Sequence, residues 1–381
     1  MRVLLLDRSL GNGYTLGLAA GLREHGVQTV VGGAAAFDWA GHADPGAVTC
    51  VYPRYGMRGR WAAKAADAPG ALARMTAVLA RLNPDVVHLQ WASALDYAYA
   101  QAARRLVRAA VVFTVHNPRS RAQSRAEADP WRRRLLPLAD ALVTHGPTLR
   151  QQLATAHPEL LDRIHLAECG NFEHLIRRLP RDEARRKLGL APDEVVFAFA
   201  GQVRPAKGLE TLLRAFALHR RRGDPGTLLV VGTATEQDYV ADIRRVARQE
   251  GLEPQWILSD DHLPQETIDL AVCAADQVVL PFDDASQSAS VIFAMTHGRC
   301  VVATAVGEIP RTLGDRGLLV APRRPDLLAD AMRLAVTDPA ACARLGAEAR
   351  RHALDVLSWR NVGAQTVDVY EAARRRVRGG S

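Results

Sequence analysis

The 381-residue sequence is poor in cysteine, with only Cys50, Cys169, Cys273, Cys300 and Cys342. No two stand at CxxC spacing, which excludes a zinc ribbon and a thioredoxin-type redox motif. An odd count suits a reducing compartment, so the expected location is the cytoplasm. Asp-x-Asp is absent throughout. A metal held by paired carboxylates, or a diphosphate chelated through one, therefore has no support, and no metal is expected. Walker A, GxSxG and HExxH patterns are missing too. No stretch approaches the roughly 18 apolar residues of a membrane span, so integral membrane association is not expected. The opening Met1-Arg2-Val3-Leu4-Leu5-Leu6-Asp7-Arg8 is charged too soon for a secretory signal and has the pattern of a β-strand.

What is present is ordinary for a globular protein: 48% apolar and 24% charged residues. That excludes a disordered chain and a collagen. Lys and Arg number 49 against 41 Asp and Glu, a net charge of +8. Such a balance fits an anionic ligand such as a nucleotide diphosphate, a nucleic acid or a membrane surface, and charge alone does not choose. Two basic runs stand out: Arg54, Arg58, Arg60 and Lys64, then Arg119, Arg121, Arg125 and Arg132 to Arg134. Either could meet an anionic acceptor, although most charge runs are solvated faces, and Arg132 to Arg134 read that way.

Short Val-rich runs alternate with segments of helical period. Runs at 3–6, 27–31, 85–89, 110–115, 140–144 and 163–167 form a first set of strands. Runs at 195–200, 227–232, 255–258, 277–281, 300–304 and 317–320 form a second. Four to seven residues rich in Val fit buried parallel strands. Between them, Leu209, Leu212, Leu213 and Phe216 fall on one helical face. The alternation predicts an α/β chain with parallel sheets, and two sets predict two doubly wound domains. An eight-stranded barrel is the competitor. The polar, Pro-bounded stretch 179–194 reads as the linker. The domains expected are 1–178 and 190–357, followed by a terminal helix in 358–381.

The clearest chemical signal is Gly201-Gln202-Val203-Arg204-Pro205-Ala206-Lys207-Gly208, between a predicted strand and a predicted helix. Ligands of open α/β sheets bind beyond the carboxyl ends of strands, and a helix N-terminus offers unpaired N–H groups. Arg204 can fork two phosphate oxygens, Lys207 adds a point charge, and Gly201 admits the ligand to the backbone. Ser286-Gln287-Ser288-Ala289-Ser290 opens another predicted helix. It is a second anion site, a plain N-cap, or both. His116 ends the run 110–115 and so faces the ligand crevice. His88 is a lesser candidate of the same kind. Gly11-Asn12-Gly13-Tyr14 with Gly17 gives GxGxxxG, but four residues separate it from the strand, unlike a true dinucleotide fingerprint.

With these residues in view, the chain resembles the family 4 glycosyltransferases of GT-B architecture, over nearly its whole length. The resemblance is carried by PDVVHLQW (84–91), FTVHN (113–117), ADALVTHGPTL (139–149), GQVRPAKG (201–208), AVCAADQVVLPF (271–282), GRCVVATAVGEIP (298–310), GLLVAP (317–322) and SWRNVGAQTVDVYEAA (358–373). It implies two facing Rossmann-like domains and a C-terminal helix that crosses back onto the first. It also implies retaining, metal-independent sugar transfer from a nucleoside-diphosphate sugar, UDP- or GDP-linked. The donor is a co-substrate, and no resident cofactor is expected.

By the same resemblance, Arg204 and Lys207 hold the diphosphate and stabilise it as it leaves. Gly201 and the backbone around Ser288, Ala289 and Ser290 cap the phosphates. His116 hydrogen-bonds a hydroxyl of the transferred sugar. Gly11, Asn12, Gly13 and Tyr14 approach the donor from the first domain, and the loop Ser259–Pro264, with Ser259 and Leu263, lies against the base. The other partner implied is a small-molecule or glycan acceptor, in natural-product (antibiotic) or glycan biosynthesis, with a homodimer as one allowed assembly and no nucleic acid. The family's two glutamates eight positions apart are Ala285 and Phe293 here, and its Phe-Gly is Gln287-Ser288. Donor identity and ribose binding are thereby left open. Rival readings are an NAD(P)-dependent oxidoreductase built on Gly11 to Gly17, a nucleotide-sugar epimerase or phosphorylase of the same architecture, and a non-catalytic binding protein.

Overall fold

A computed structural model describes residues 1–8, 13–34, 48–53, 61–116, 130–260 and 263–379. The chain divides into two compact units: Met1–Gly170 with Leu357–Ser381, and Asn171–Val356. Both are α/β, so the eight-stranded barrel is excluded.

The first unit holds β1 (Arg2–Leu6), β2 (Gln28–Ala34), β3 (Val48–Tyr52), β4 (Val86–Leu89), β5 (Ala110–Thr114), β6 (Ala141–Thr144) and β7 (Ile164–Leu166). They form one parallel sheet in the order β3-β2-β1-β4-β5-β6-β7. The central strands are buried on both faces, which is why they read as unbroken apolar runs. The order reverses between β1 and β4, the switch point where ligands of doubly wound sheets bind. β3 was not anticipated. It is an edge strand of five residues, and an edge carries less of the apolar pattern on which the reading relied.

The helix Trp359–Gly379 closes this unit. It packs on the helix Tyr14–Glu24 through absent side chains: Cβ atoms added at Gly17, Gly21 or Gly170 would run into Trp359. Gly17 and Gly170 thus form the socket for the indole, and Gly21 makes room for the Trp359 backbone. Gly17 is occupied by that packing, which removes the third glycine of the supposed dinucleotide fingerprint. Further along the helix, the Tyr370 hydroxyl lies 2.7 Å from His88 Nδ1, and Arg374 pairs with Asp85 at 3.2 Å. His88 is fully buried between Tyr370 and Thr114, so it is a core residue rather than a ligand contact.

The second unit holds β8 (Val196–Ala200), β9 (Thr227–Thr233), β10 (Gln255–Ser259), β11 (Gln277–Leu280), β12 (Cys300–Thr304) and β13 (Leu318–Val320), parallel in the order β10-β9-β8-β11-β12-β13. The helix Leu209–Arg221 lays Leu209, Leu212, Leu213 and Phe216 into the core, as its period required.

The 179–194 stretch is not a linker. Its helix Arg181–Lys187 packs into the second unit, and Arg185 is fully buried. The Arg185 guanidinium donates to Ala274 O (3.0 Å), Pro192 O (2.6 Å) and the Asp276 carboxylate (2.8 Å). The stretch looked solvated because it is rich in charge, but one of those charges is an internal tie. The change of unit comes earlier, at Gly170–Asn171. No helix among the described residues is long and apolar enough to cross a membrane.

Candidate functional site

In the second unit the loop after β8 is shaped by glycine. Gly201 has φ +154°, and a Cβ there would stand 3.2 Å from Ser290 Oγ. The two segments singled out by sequence therefore meet. Gly208 has φ +63°, and a Cβ would collide with the Pro281 carbonyl. Asp283 N donates to Ala206 O at 3.1 Å, which ties this loop to the segment after β11. Pro205–Lys207 is a single 3-10 turn, and Gly208 starts the helix Leu209–Arg221 without a side-chain cap.

Two cations are held by that scaffold. Lys207 Nζ sits 3.5 Å above the centre of the buried Phe282 ring, a cation–π contact that fixes the end of a flexible side chain. Arg204 is partly buried, and burial lowers its pKa against the opposing pull of Glu236 and Asp284. Its Nε is buried and makes no hydrogen bond. A guanidinium N–H is a strong donor, and leaving one unmatched costs about 1–3 kcal/mol. An anion in this loop would supply the missing acceptor and charge.

Ser288 is the N-cap of the helix Ala289–His297, with its Oγ accepting from Val291 N at 3.3 Å. The plain capping role is therefore met by Ser288. Ala289 and Ser290 lie in the first turn, whose N–H groups lack partners within the helix. Phe293, where the resemblance expects a glutamate, packs edge-on against Phe172 (5.9 Å) and His297 (4.7 Å). An aromatic ring has taken the carboxylate's place in an apolar contact. At the end of β10, Ser259 O accepts from Ala234 N at 2.7 Å. Leu263 is 8% exposed and belongs to the core. Residues 261 and 262 between them lie outside the described residues.

In the first unit, His116 follows β5 within a ring of aromatic and polar groups. The Trp91, Tyr14 and His145 rings lie 5.1, 5.3 and 5.1 Å from it, centre to centre. Below them Asp7, buried at the end of β1, accepts from Trp91 Nε1 (2.8 Å) and Thr15 Oγ1 (2.6 Å). Gly13 has φ +68° and caps the helix Tyr14–Glu24. Gly11 and Asn12 lie outside the described residues. Trp91, Gln90 and His145 were not selected from sequence. The available signal was position: Gln90 and His145 directly follow the runs 85–89 and 140–144, as His116 follows 110–115, and Trp91 comes one residue later. Burial lowers the pKa of His116, His145 and His88, so all three rings are neutral near pH 7. Asp96 is raised to about 6 by burial, but Tyr52 and Ser93 satisfy it structurally.

Arg204, Lys207, Gly201 and Ser288 to Ser290 thus assemble in one place, and His116 belongs to the other unit. Among the described residues no group of three or more His, Cys, Asp or Glu could hold a metal ion. A parallel-sheet α/β unit with a cationic loop at the strand ends defines an anion-binding class of fold. Comparison with known proteins narrows it. The family described as "Glycosyltransferase Family 4" matches residues 12–170, and "Glycosyl transferases group 1" matches 194–338. The chain belongs to the family 4-like glycosyltransferases of GT-B architecture.

Relatives include the D-inositol 3-phosphate glycosyltransferases of Streptomyces avermitilis and Rhodococcus erythropolis. The first is 32% identical over 63% of this chain and 52% of its own length, the second 33% over 51% and 45%. The chain therefore spans about half the length of the curated relatives it matches. Among solved structures, sucrose-phosphate synthase of Thermosynechococcus elongatus aligns over 100% of both chains with a TM-score of 0.72 at 20% identity. HepE of Anabaena, solved with UDP and glucose, aligns over 97% of this chain and 98% of its own with a TM-score of 0.74 at 20% identity.

Proposed function

We propose that the protein is a metal-independent, retaining glycosyltransferase. Its donor is a UDP- or GDP-linked sugar, and its acceptor a small polar molecule or glycan. The observation that carries this reading is the Arg204 guanidinium, half-buried with its Nε unmatched, beside a Lys207 fixed on Phe282. An unmatched guanidinium N–H calls for an anion, and both residues belong to the unit matched by the group 1 family.

Chemistry follows from charge. As the anomeric carbon–oxygen bond breaks, negative charge grows on the departing diphosphate, and preorganised donors are worth most where charge develops. Arg204, Lys207 and the first turn of Ala289–His297 are those donors. The acceptor oxygen bonds to the anomeric carbon on the face the diphosphate leaves, and its proton passes to the departing phosphate oxygen. No side-chain base is required. The named relatives act on D-inositol 3-phosphate, which favours a polyol-like acceptor. The expected setting is cytoplasmic natural-product or glycan biosynthesis.

A thermal-shift panel of UDP, GDP, ADP, dTDP and NADH tests the donor site. A specific diphosphate at 100 times its Kd adds about 2.7 kcal/mol of stability. Stabilisation by NADH alone would favour an oxidoreductase and reject the proposal. Product anomer by NMR tests retention, and full turnover in EDTA tests metal independence.

A further inference from the structure

His116 is held by a second histidine, and the hydrogen bonds between them fix where its proton sits. His145 Nδ1 lies 3.0 Å from the Ala167 carbonyl oxygen, which can only accept. Nδ1 of His145 therefore carries the proton, and in the neutral ring Nε2 is a lone pair. That lone pair lies 3.0 Å from His116 Nδ1, so His116 Nδ1–H donates to it. His116 Nε2 is then the acceptor of its own ring.

The neighbouring amide fits this assignment once it is turned about its end bond. Gln90 places Oε1 3.2 Å from His116 Nε2 and Nε2 3.5 Å from His88 Nε2. The two ends of an amide are told apart by their partners, and here a half-turn of the amide matches donors with acceptors. The Gln90 NH2 then donates to His116 Nε2, and its oxygen faces His88 Nε2–H, which also donates to Thr114 Oγ1. His88 Nδ1 accepts from Tyr370. Every link from Ala167 to Tyr370 is satisfied in one direction.

Resting on the functional reading above, we propose that His145 is a positioning residue. It locks His116 as the Nδ1–H tautomer and so presents Nε2 as an acceptor for a hydroxyl of the sugar or its acceptor. The incoming hydroxyl replaces the Gln90 amide as the donor to Nε2. A histidine locked the other way would offer N–H and favour a carbonyl or an anion instead. His145 thereby selects a hydroxyl-bearing ligand at this point of the first unit.

Long-range 1H–15N correlation spectra of histidine-labelled protein read the tautomer directly. The wild type should show His116 protonated at Nδ1. His145→Leu should move His116 to the Nε2–H form and lower kcat/KM for UDP-glucose or GDP-mannose, whichever is turned over, by tenfold or more. His145→Gln can donate to Ala167 O and accept from His116, so it should restore the Nδ1–H form and bring the rate within a few-fold of wild type. An Nε2–H His116 in the wild type overturns the proposal, as does an unchanged tautomer in His145→Leu. The correct tautomers with no sugar transfer would leave the positioning role standing and count against the glycosyltransferase reading alone.

Discussion

Replacing Arg204 by methionine separates a functional cation from a structural one. A structural arginine stabilises the fold through its partners. Arg204 instead carries a buried Nε without a hydrogen bond, and burial depresses its pKa. The unmatched donor costs about 1–3 kcal/mol in the unliganded protein. Methionine keeps most of the chain's packing and removes that cost, so the melting temperature of the free protein should hold or rise. Donor chemistry should move the other way. Removing a preorganised donor from a site of developing charge lowers kcat by roughly 10²-fold or more. If diphosphate affinity falls a hundredfold as well, the arithmetic is simple. At a concentration of 100 wild-type Kd the wild type gains about 2.7 kcal/mol, and the variant, then at its own Kd, gains about 0.4 kcal/mol. Differential scanning fluorimetry with and without nucleoside diphosphate, with an assay of diphosphate release, reads both quantities. A drop of several degrees in the free protein with turnover unchanged would refute the reasoning.

Other consequences are open to direct measurement. Trp359→Ala empties the indole socket at Gly17 and Gly170 and should cost about 3–5 kcal/mol, read by urea unfolding. Asp276→Ala leaves Arg185 buried with an uncompensated charge and should cost about 3–5 kcal/mol, whereas Arg177→Ala, exposed at 63% in its pair with Glu266, should change stability by less than about 1 kcal/mol. His88 has a folded pKa lowered to about 3, below the unfolded value, so its contribution is present above about pH 6.5 and is lost as pH falls towards 3. The stability gap between wild type and His88→Gln should therefore shrink by about 2 kcal/mol from pH 7.5 to pH 5, and a constant gap would contradict a buried neutral ring.

The fold was legible because parallel strands buried on both faces leave dense Val-rich runs, and β1 or β11 could hardly be read otherwise. β3 escaped because it lies at a sheet edge, and the helix Arg181–Lys187 escaped because its buried residue is an arginine. Pattern reading takes charge for surface, and Arg185 reverses that rule through three acceptors that come together only in the fold. In the site, Arg204, Lys207 and Ser288 were visible since local geometry places them, a strand end followed by a helix start. His145 and Gln90 act through partners far away in sequence, and periodicity carries no trace of a hydrogen bond between positions 116 and 145.

The helix Trp359–Gly379 also gives the chain an order of completion. The first unit is interrupted after Gly170 and resumes only at Leu357, so the second unit is an insertion within it. At roughly 5–20 residues per second of synthesis, the intervening 171–356 segment takes on the order of 10–40 s to emerge. Throughout that interval the glycine socket of Gly17 and Gly170 has no indole, and His88 has no Tyr370. The usual sequence, in which the N-terminal part finishes first, is reversed. The inserted unit can mature while its host waits for residues 357–381.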